Sequence, residues 1–384
     1  MRQLGCGNAR RISRRGFHAS AAALFAFLTA PGCRSEKPDG NDAATRPESD
    51  AETARSMASV AKGSNMPSSV SVRFTWKSIA SGSETPGARS RHCMAYDANS
   101  KIIVLFSGID WANQGRLIGD TWELLARKWS RSDSAISPAA RHRGAMVYDP
   151  VRGNCLLFGG QGRGQSGFGY SMLGDTWTYA NGQWKQWKSL FGSRPSPRCG
   201  HALAFDESAG FAVLFGGIAP RDKPLGDTWL FDGKGWKQIN GDSPPLRRYA
   251  AFAYDPDLRG CVLQGGSEDD NGRHSYGDTW LFRDNRWQCL GDAFEIDPGD
   301  DHSLAYHRAA KLLVMSGGLF RRDPLMIRAT GGWRRADVSP PLPRYQCSPL
   351  VWSDELHGLV LHGGESQHGG RQFSTTWLLE YGNG

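Results

Sequence analysis

Five arginines stand just ahead of short apolar runs: Arg89, Arg141, Arg198, Arg247 and Arg344, most of them shortly after a proline. A guanidinium is a planar fork that matches a carboxylate through two parallel hydrogen bonds. Two chemistries are open to these side chains. Four could close on acids of their own chain, because four Gly-Asp-Thr-Trp tetrads supply Asp120, Asp175, Asp227 and Asp278. Alternatively the forks could hold a ligand carboxylate. Arg344 is the best candidate for that, since Thr375 stands where its tetrad aspartate would be. One segment has Gly299 in the arginine register and no tetrad at all. His92, His201 and His302 share a second register, and three histidines can hold a metal. Glu365 or Glu268 beside an arginine could serve as a general acid or base. Cys93, Cys155, Cys199, Cys261, Cys289 and Cys347 form no CxxC or zinc spacing, which leaves buried thiols as the default.

What positions these residues is a repeat. Between Arg198 and Trp236 an apolar run ends at Phe205-Asp206, and a second closes on Gly216-Gly217. A variable loop, the tetrad and a lone Trp236 follow. The apolar pieces are too short for stable helices and rich in aromatic and β-branched residues, so they read as four consecutive strands. The glycine pair, or its Ser-Gly variant, returns at 107–108, 159–160, 216–217, 265–266, 317–318 and 363–364. A period of about fifty residues is that of propeller blades. Trp129, Trp184, Trp236 and Trp287 each follow a tetrad aspartate by nine residues, and Trp333 extends the set. Such wide flat side chains suit the packing between blades. Asp97, Asp149, Asp206 and Asp255 end the first strands, where a carboxylate can accept the amides of a tight turn.

Over residues 71–384 the chain resembles the kelch-repeat β-propellers, especially the central domain of galactose oxidase-like proteins. The resemblance implies an all-β, six-bladed propeller of four-stranded antiparallel blades. It also implies that the arginines ring one mouth of a central channel. The three histidines would then stand on separate walls of that channel, too far apart for metal bonds of about 2 Å. The copper chemistry of galactose oxidase is not carried over. Its Tyr-His pair has no counterpart at this register, where Arg91 precedes His92 and Asp301 precedes His302. No cofactor and no metal are expected. The run Val72–Lys77 reads as an orphaned fourth strand, and the sixth repeat stops at Trp377-Leu378-Leu379 in its third. An N-terminal strand completing the last blade would close the ring and remove its open edges. Cys93 and Cys347 would then be neighbours, the one disulfide worth testing in an oxidising compartment.

The first 33 residues read as a twin-arginine-like export signal, with Arg14-Arg15 ahead of an apolar segment from Ala19 to Ala30. That segment is too short to span a bilayer core of about twenty residues. Thr29-Ala30-Pro31-Gly32-Cys33 resembles a lipobox, which implies lipid attachment at Cys33 and location in the periplasm or at the cell surface. Residues 34–70 carry almost no large apolar side chains and suit a disordered tether. The formal charge of +8 owes five arginines to the signal, so nucleic acid is not an expected partner.

Loops following the glycine pairs (109–118, 161–173, 218–225, 267–276, 319–324 and 365–374) vary in length and chemistry, as binding loops on a rigid scaffold do. Their candidate contacts are Trp111, Arg116, Phe168, Tyr170, Arg273, His274, Tyr276, Phe320, Arg321 and Arg371. Aromatic residues with arginine are the composition of binding hot spots. The expectation is a monomeric, non-catalytic module that recognises a protein or glycan of the cell envelope. The alternative is a sugar-processing enzyme similar to the periplasmic kelch-fold sialic acid mutarotases.

Overall fold

Six sheets of four antiparallel strands surround a channel. The computed structural model describes residues 72–79, 84–164, 169–188, 192–269, 274–291, 301–318, 325–329, 332–340, 342, 345–366 and 370–382. The signal, Cys33 and the tether lie outside them. Among the described residues no helix is long and apolar enough to cross a membrane. The inner strands of blades 1 to 6 are Cys93–Asp97, Ala145–Asp149, Ala202–Asp206, Ala251–Asp255, His302–His307 and Leu350–Ser353. The outer strands of blades 1 to 5 are Lys128–Arg131, Gln183–Trp187, Trp236–Ile239, Arg286–Cys289 and Gly332–Arg335.

Blade 6 takes its outer strand from Arg73–Ser78, which pairs antiparallel with Thr376–Gly382 and sets Trp76 opposite Leu379. The ring therefore closes as the sequence implies. One element was not foreseen. Asp337–Ser339 adds a fifth, parallel strand outside Arg73–Ser78, so the closing strand is paired on both sides.

Each seam between neighbouring blades holds its own apolar cluster, six in all. The strand periodicity explains this, because alternate residues of one blade face the blade before and the blade after. Outer-strand tryptophans cross these seams. Trp184 Nε1 donates to Thr121 Oγ1 at 2.9 Å, Trp236 to Thr176 at 3.0 Å and Trp287 to Thr228 at 2.9 Å. Trp333 reaches Thr279 at 3.0 Å, and Trp129 spans the closing seam to Thr376 at 2.9 Å. Each acceptor is a threonine of the preceding blade, in the tetrad wherever that blade has one. Blade 5 has no tetrad. There Leu325 fills the threonine's register and packs in one cluster with Trp76, an apolar contact in place of the hydrogen bond.

The aspartates that end the first strands act within turns. Asp97 Oδ1 accepts the amides of Asn99 and Ser100, and Asp206 Oδ1 those of Ser208 and Ala209. In blade 5 His307 replaces the aspartate, and its Nδ1 accepts the Ala310 amide at 3.2 Å.

Because Arg73–Ser78 fills the outer position of blade 6, deleting residues 71–80 exposes the edge of Thr376–Gly382 and the buried faces of Phe74 and Trp76. The truncated chain is expected to be insoluble or readily cleaved. Limited proteolysis beside the intact chain checks this, and equal resistance would rule out the role of that strand.

Candidate functional site

The arginine registers are built identically in blades 1 to 4. Arg89, Arg141, Arg198 and Arg247 are buried. Each donates Nη1 to one oxygen of its own blade's tetrad aspartate at 2.5–2.7 Å and Nη2 to the other at 2.8–3.1 Å. Nη1 also donates to the carbonyl of Ser107, Gly159, Gly216 or Gly265, at the end of the blade's second strand. The same aspartates accept the tetrad tryptophan, as Asp227 Oδ2 does from Trp229 Nε1 at 2.6 Å. Burial pushes the Asp120, Asp175 and Asp227 carboxyls up. The guanidinium bonds more than reverse it, and all three sit below the ordinary carboxylate range. These forks are committed within their blades.

The arginine backbone is used as well. The Arg247 carbonyl accepts Gly217 N at 2.9 Å from the blade before. A Cβ on Gly216, at φ +64°, would stand 2.5 Å from that carbonyl oxygen, so the close approach requires glycine. Ser107 occupies the same register at φ 66°, and its hydroxyl lies 2.7 Å from the Arg141 carbonyl, a hydrogen bond where a methyl would only crowd.

Blade 6 departs from the expected register. Gly317 of blade 5 approaches the Tyr345 carbonyl as Gly216 approaches that of Arg247, which puts Tyr345 in the position of Arg89. Arg344, one residue earlier, lies outside the described residues. The Tyr345 hydroxyl accepts Trp377 Nε1 at 2.8 Å, so a phenol replaces the aspartate as the indole's acceptor and Thr375 needs no charge.

Two residues beyond each register position lies a ring that sequence reasoning missed: Arg91, Arg143, Gly200, Tyr249, Asp301 and Cys347, one per blade. All six are left-handed, with φ between 55° and 61°. The Arg143 amide donates to the Arg91 carbonyl, Gly200 to Arg143, Tyr249 to Gly200, Cys347 to Asp301 and Arg91 to Cys347, at 2.7–3.1 Å. This backbone girdle frames the channel mouth on the loop side. Left-handed backbone costs a non-glycine residue about 1–2 kcal/mol. The sequence signal was a fixed spacing after the arginines, with no residue type in common.

Side chains of the ring meet over the mouth of a channel of about 900 Å³. Gly200 carries no side chain, and a Cβ there would lie 2.5 Å from Tyr249 Cε1. Tyr249 therefore leans across blade 3 and takes the Arg143 guanidinium over its ring at 4.8 Å. The Tyr249 hydroxyl and Arg143 Nε are buried and have no hydrogen-bond partner among the described residues. Burial, before any neighbouring charge, raises the Tyr249 pKa. On the other side Arg91 Nη2 donates to Glu365 Oε1 at 3.0 Å, and the Ser90 hydroxyl to Glu365 Oε2 at 2.9 Å. Glu365 is fully buried there. Its oxygens clasp blade 6 to blade 1.

The loop candidates divide. Phe168, Arg273, Phe320 and Arg321 lie outside the described residues. Trp111 lies under the Arg91 guanidinium at 5.2 Å, and its amide donates to Gln372 Oε1 at 2.7 Å. Tyr170 is exposed and its hydroxyl reaches the Gly115 carbonyl in the neighbouring loop. Tyr276 covers Arg247 at 4.1 Å. His274 pairs with Asp269 at 3.1 Å, Arg116 lies 3.5 Å from Asp110, and Arg371 sits 5.8 Å from the Phe373 ring.

The three same-register histidines pack between blades. His201 lies against Gly159 of the blade before, and His302 Nε2 contacts the Gln264 carbonyl at 3.2 Å. Among the described residues no cluster of His, Cys, Asp or Glu could hold a metal ion. Cys93 and Cys347 are both free, so the disulfide between them is not formed, and burial pushes the Cys93 thiol up to about 12.

Fold and site together define a six-bladed β-propeller of four-stranded antiparallel blades. Residues 69–234 match the family model described as the KLHDC2/KLHL20/DRC7 Kelch-repeats domain. An F-box/kelch-repeat protein of Arabidopsis thaliana is 28% identical over 208 residues, 48% of this chain and 40% of that protein. The chain thus matches less than half the length of that curated relative. The solved structure of YjhT superposes with a TM-score of 0.61 at 16% identity, over 80% of this chain and 100% of that one, and shares the fold.

Two predictions follow from the site's electrostatics. Asp227→Ala leaves the buried Arg198 without its counter-charge and Trp229 without its acceptor. It should cost about 3–5 kcal/mol in chemical denaturation, whereas an exposed change such as Lys237→Ala should cost under about 0.5 kcal/mol. The second concerns pH. Burial first, helped by nearby arginines, lowers His142, His201 and His362 to about 3, and burial lowers His302 to about 4. Below the unfolded value of about 6.5 the unfolded chain binds protons that the folded chain does not. Stability is therefore complete above about pH 7 and falls with acid down to the folded values, by up to about 1.4 kcal/mol per pH unit for each such histidine. Melting temperatures at pH 7 and pH 5 check this; a flat profile would contradict neutral burial.

Proposed function

We propose that this chain is a non-catalytic recognition module of the cell envelope, exported and lipid-anchored through Cys33, which binds a protein or glycan at the loop-side channel mouth. The observation that carries the reading is the pair of unspent donors, Arg143 Nε and the Tyr249 hydroxyl, held on a hydrogen-bonded ring. A buried donor without an acceptor costs about 1–3 kcal/mol, which a ligand's oxygens would recover. Interlocked loops around them, Trp111 to Gln372 and Tyr170 to Gly115, present contacts with little ordering cost. Of the two acids on which a mutarotase-like mechanism could draw, Glu365 and Glu268, Glu365 is buried with both oxygens occupied, which weighs against proton transfer from it.

The test uses the full chain as bait in envelope extract, beside the double variant Arg143→Ala/Tyr249→Phe with an unchanged melting temperature. Loss of the captured partner by about tenfold or more, roughly 1.4 kcal/mol, is the expected result. Equal capture by both forms would remove the mouth as the site. Sialic acid mutarotation by the wild-type chain, followed by polarimetry, should show no acceleration; acceleration would replace the binding reading with the enzymatic one.

A further inference from the structure

Every outer strand carries basic residues and no acid. Blade 1 presents Lys128 and Arg131, blade 2 Lys185, and blade 3 Lys237. Blade 4 presents Arg286, blade 5 Arg334 and Arg335, and the closing strand Arg73 and Lys77. All nine are exposed. On blade 6 the charge is partly answered, since Lys77 bonds Glu380 at 2.5 Å and Arg73 stands opposite Asp337. The seven on blades 1 to 5 have no ion-pair partner among the described residues.

Charge on an edge strand guards against edge-to-edge pairing, and either sign serves. That explains why these positions are charged but not why they share a sign. Nine random draws from the chain's 46 basic and 38 acidic residues would all be basic about once in three hundred trials. The bias is local, because outside these nine positions the chain carries 37 basic and 38 acidic residues.

We infer that the perimeter of blades 1 to 5 is a docking surface for an extended acidic polysaccharide, its carboxylates meeting successive blade edges. The cations stand exposed on consecutive blades around a ring. A flat bilayer touches one or two blade edges at once, whereas a flexible chain can follow all five and add weak contacts. Single-stranded nucleic acid would need aromatic faces for its bases. The rim tryptophans are instead turned into the seams, with Trp129, Trp184 and Trp236 buried and hydrogen-bonded to threonines. This surface is separate from the channel mouth and does not rest on the function proposed there.

Fluorescence anisotropy of the full chain with labelled oligogalacturonate of about twenty units is the test. Binding at about 20 mM salt should weaken tenfold or more by about 300 mM, as screening requires. The triple variant Lys128→Glu/Lys185→Glu/Lys237→Glu should lose tenfold or more at low salt with its melting temperature unchanged, while Arg143→Ala/Tyr249→Phe should bind like wild type. The inference is overturned by absent binding at low salt, by equal binding of the triple variant, or by loss of binding in the mouth variant. Tighter binding to oligothymidylate or to phosphatidylglycerol vesicles would overturn it too.

Discussion

One buried ion pair in each of blades 1 to 4 sets the geometry on which the rest of the structure depends. In blade 3 the Arg198 guanidinium bonds both oxygens of Asp227 and the Gly216 carbonyl, while the Arg198 carbonyl accepts Gly160 of blade 2. A single residue thus ties the lead-in of the inner strand to the second strand, the third strand and the neighbouring blade. A buried pair of this kind is weak evidence for net stability, since desolvating both charges offsets much of their attraction. Its effect is on uniqueness. An inner strand slipped by one residue would leave a guanidinium and a carboxylate buried apart, and that alternative is several kcal/mol worse.

With the backbone held there, the position two residues on is free to vary. Its left-handed conformation would ordinarily select glycine, yet one blade of six has it. The others carry arginine, tyrosine, aspartate and cysteine, and the girdle of amide bonds offsets the strain. Identical backbone with unlike side chains is how a symmetric scaffold acquires an asymmetric site. Blades 6 and 1 use the position for closure, through Arg91 on Glu365. Blades 2 to 4 leave a cation, a gap and a phenol facing the channel.

Much of the fold was legible because repetition exposes any residue whose role recurs. Tryptophans, turn aspartates, glycine pairs and the missing fourth strand of the last repeat all read correctly from spacing. The Arg–Asp pairing was legible as one of two readings, and only distances separate a committed fork from an open one. Where a role passes to a different residue type, spacing fails. Tyr345 does for Trp377 what Asp227 does for Trp229, and nothing in a phenol announces that substitution. The strand Asp337–Ser339 was illegible for another reason. Three residues carry no periodicity, and their strand character comes from the exposed edge of Arg73–Ser78 beside them.

The seam between blades 6 and 1 differs from the others because segments remote in sequence must find one another there. At the residue that follows the glycine pair, blades 1 and 3 place Ile109 and Ile218, each bridged to the lead-in residues of its own blade. Blade 6 places Glu365 at that point and sends both oxygens into blade 1. An isoleucine would have buried as much apolar surface, but apolar contact is non-directional and tolerates misplacement. A buried carboxylate accepts Ser90 and Arg91 in one arrangement only. The closing seam therefore uses directional bonds where covalent continuity gives no help, and Trp129 on Thr376 and the strand Arg73–Ser78 fix the same junction at its outer edge.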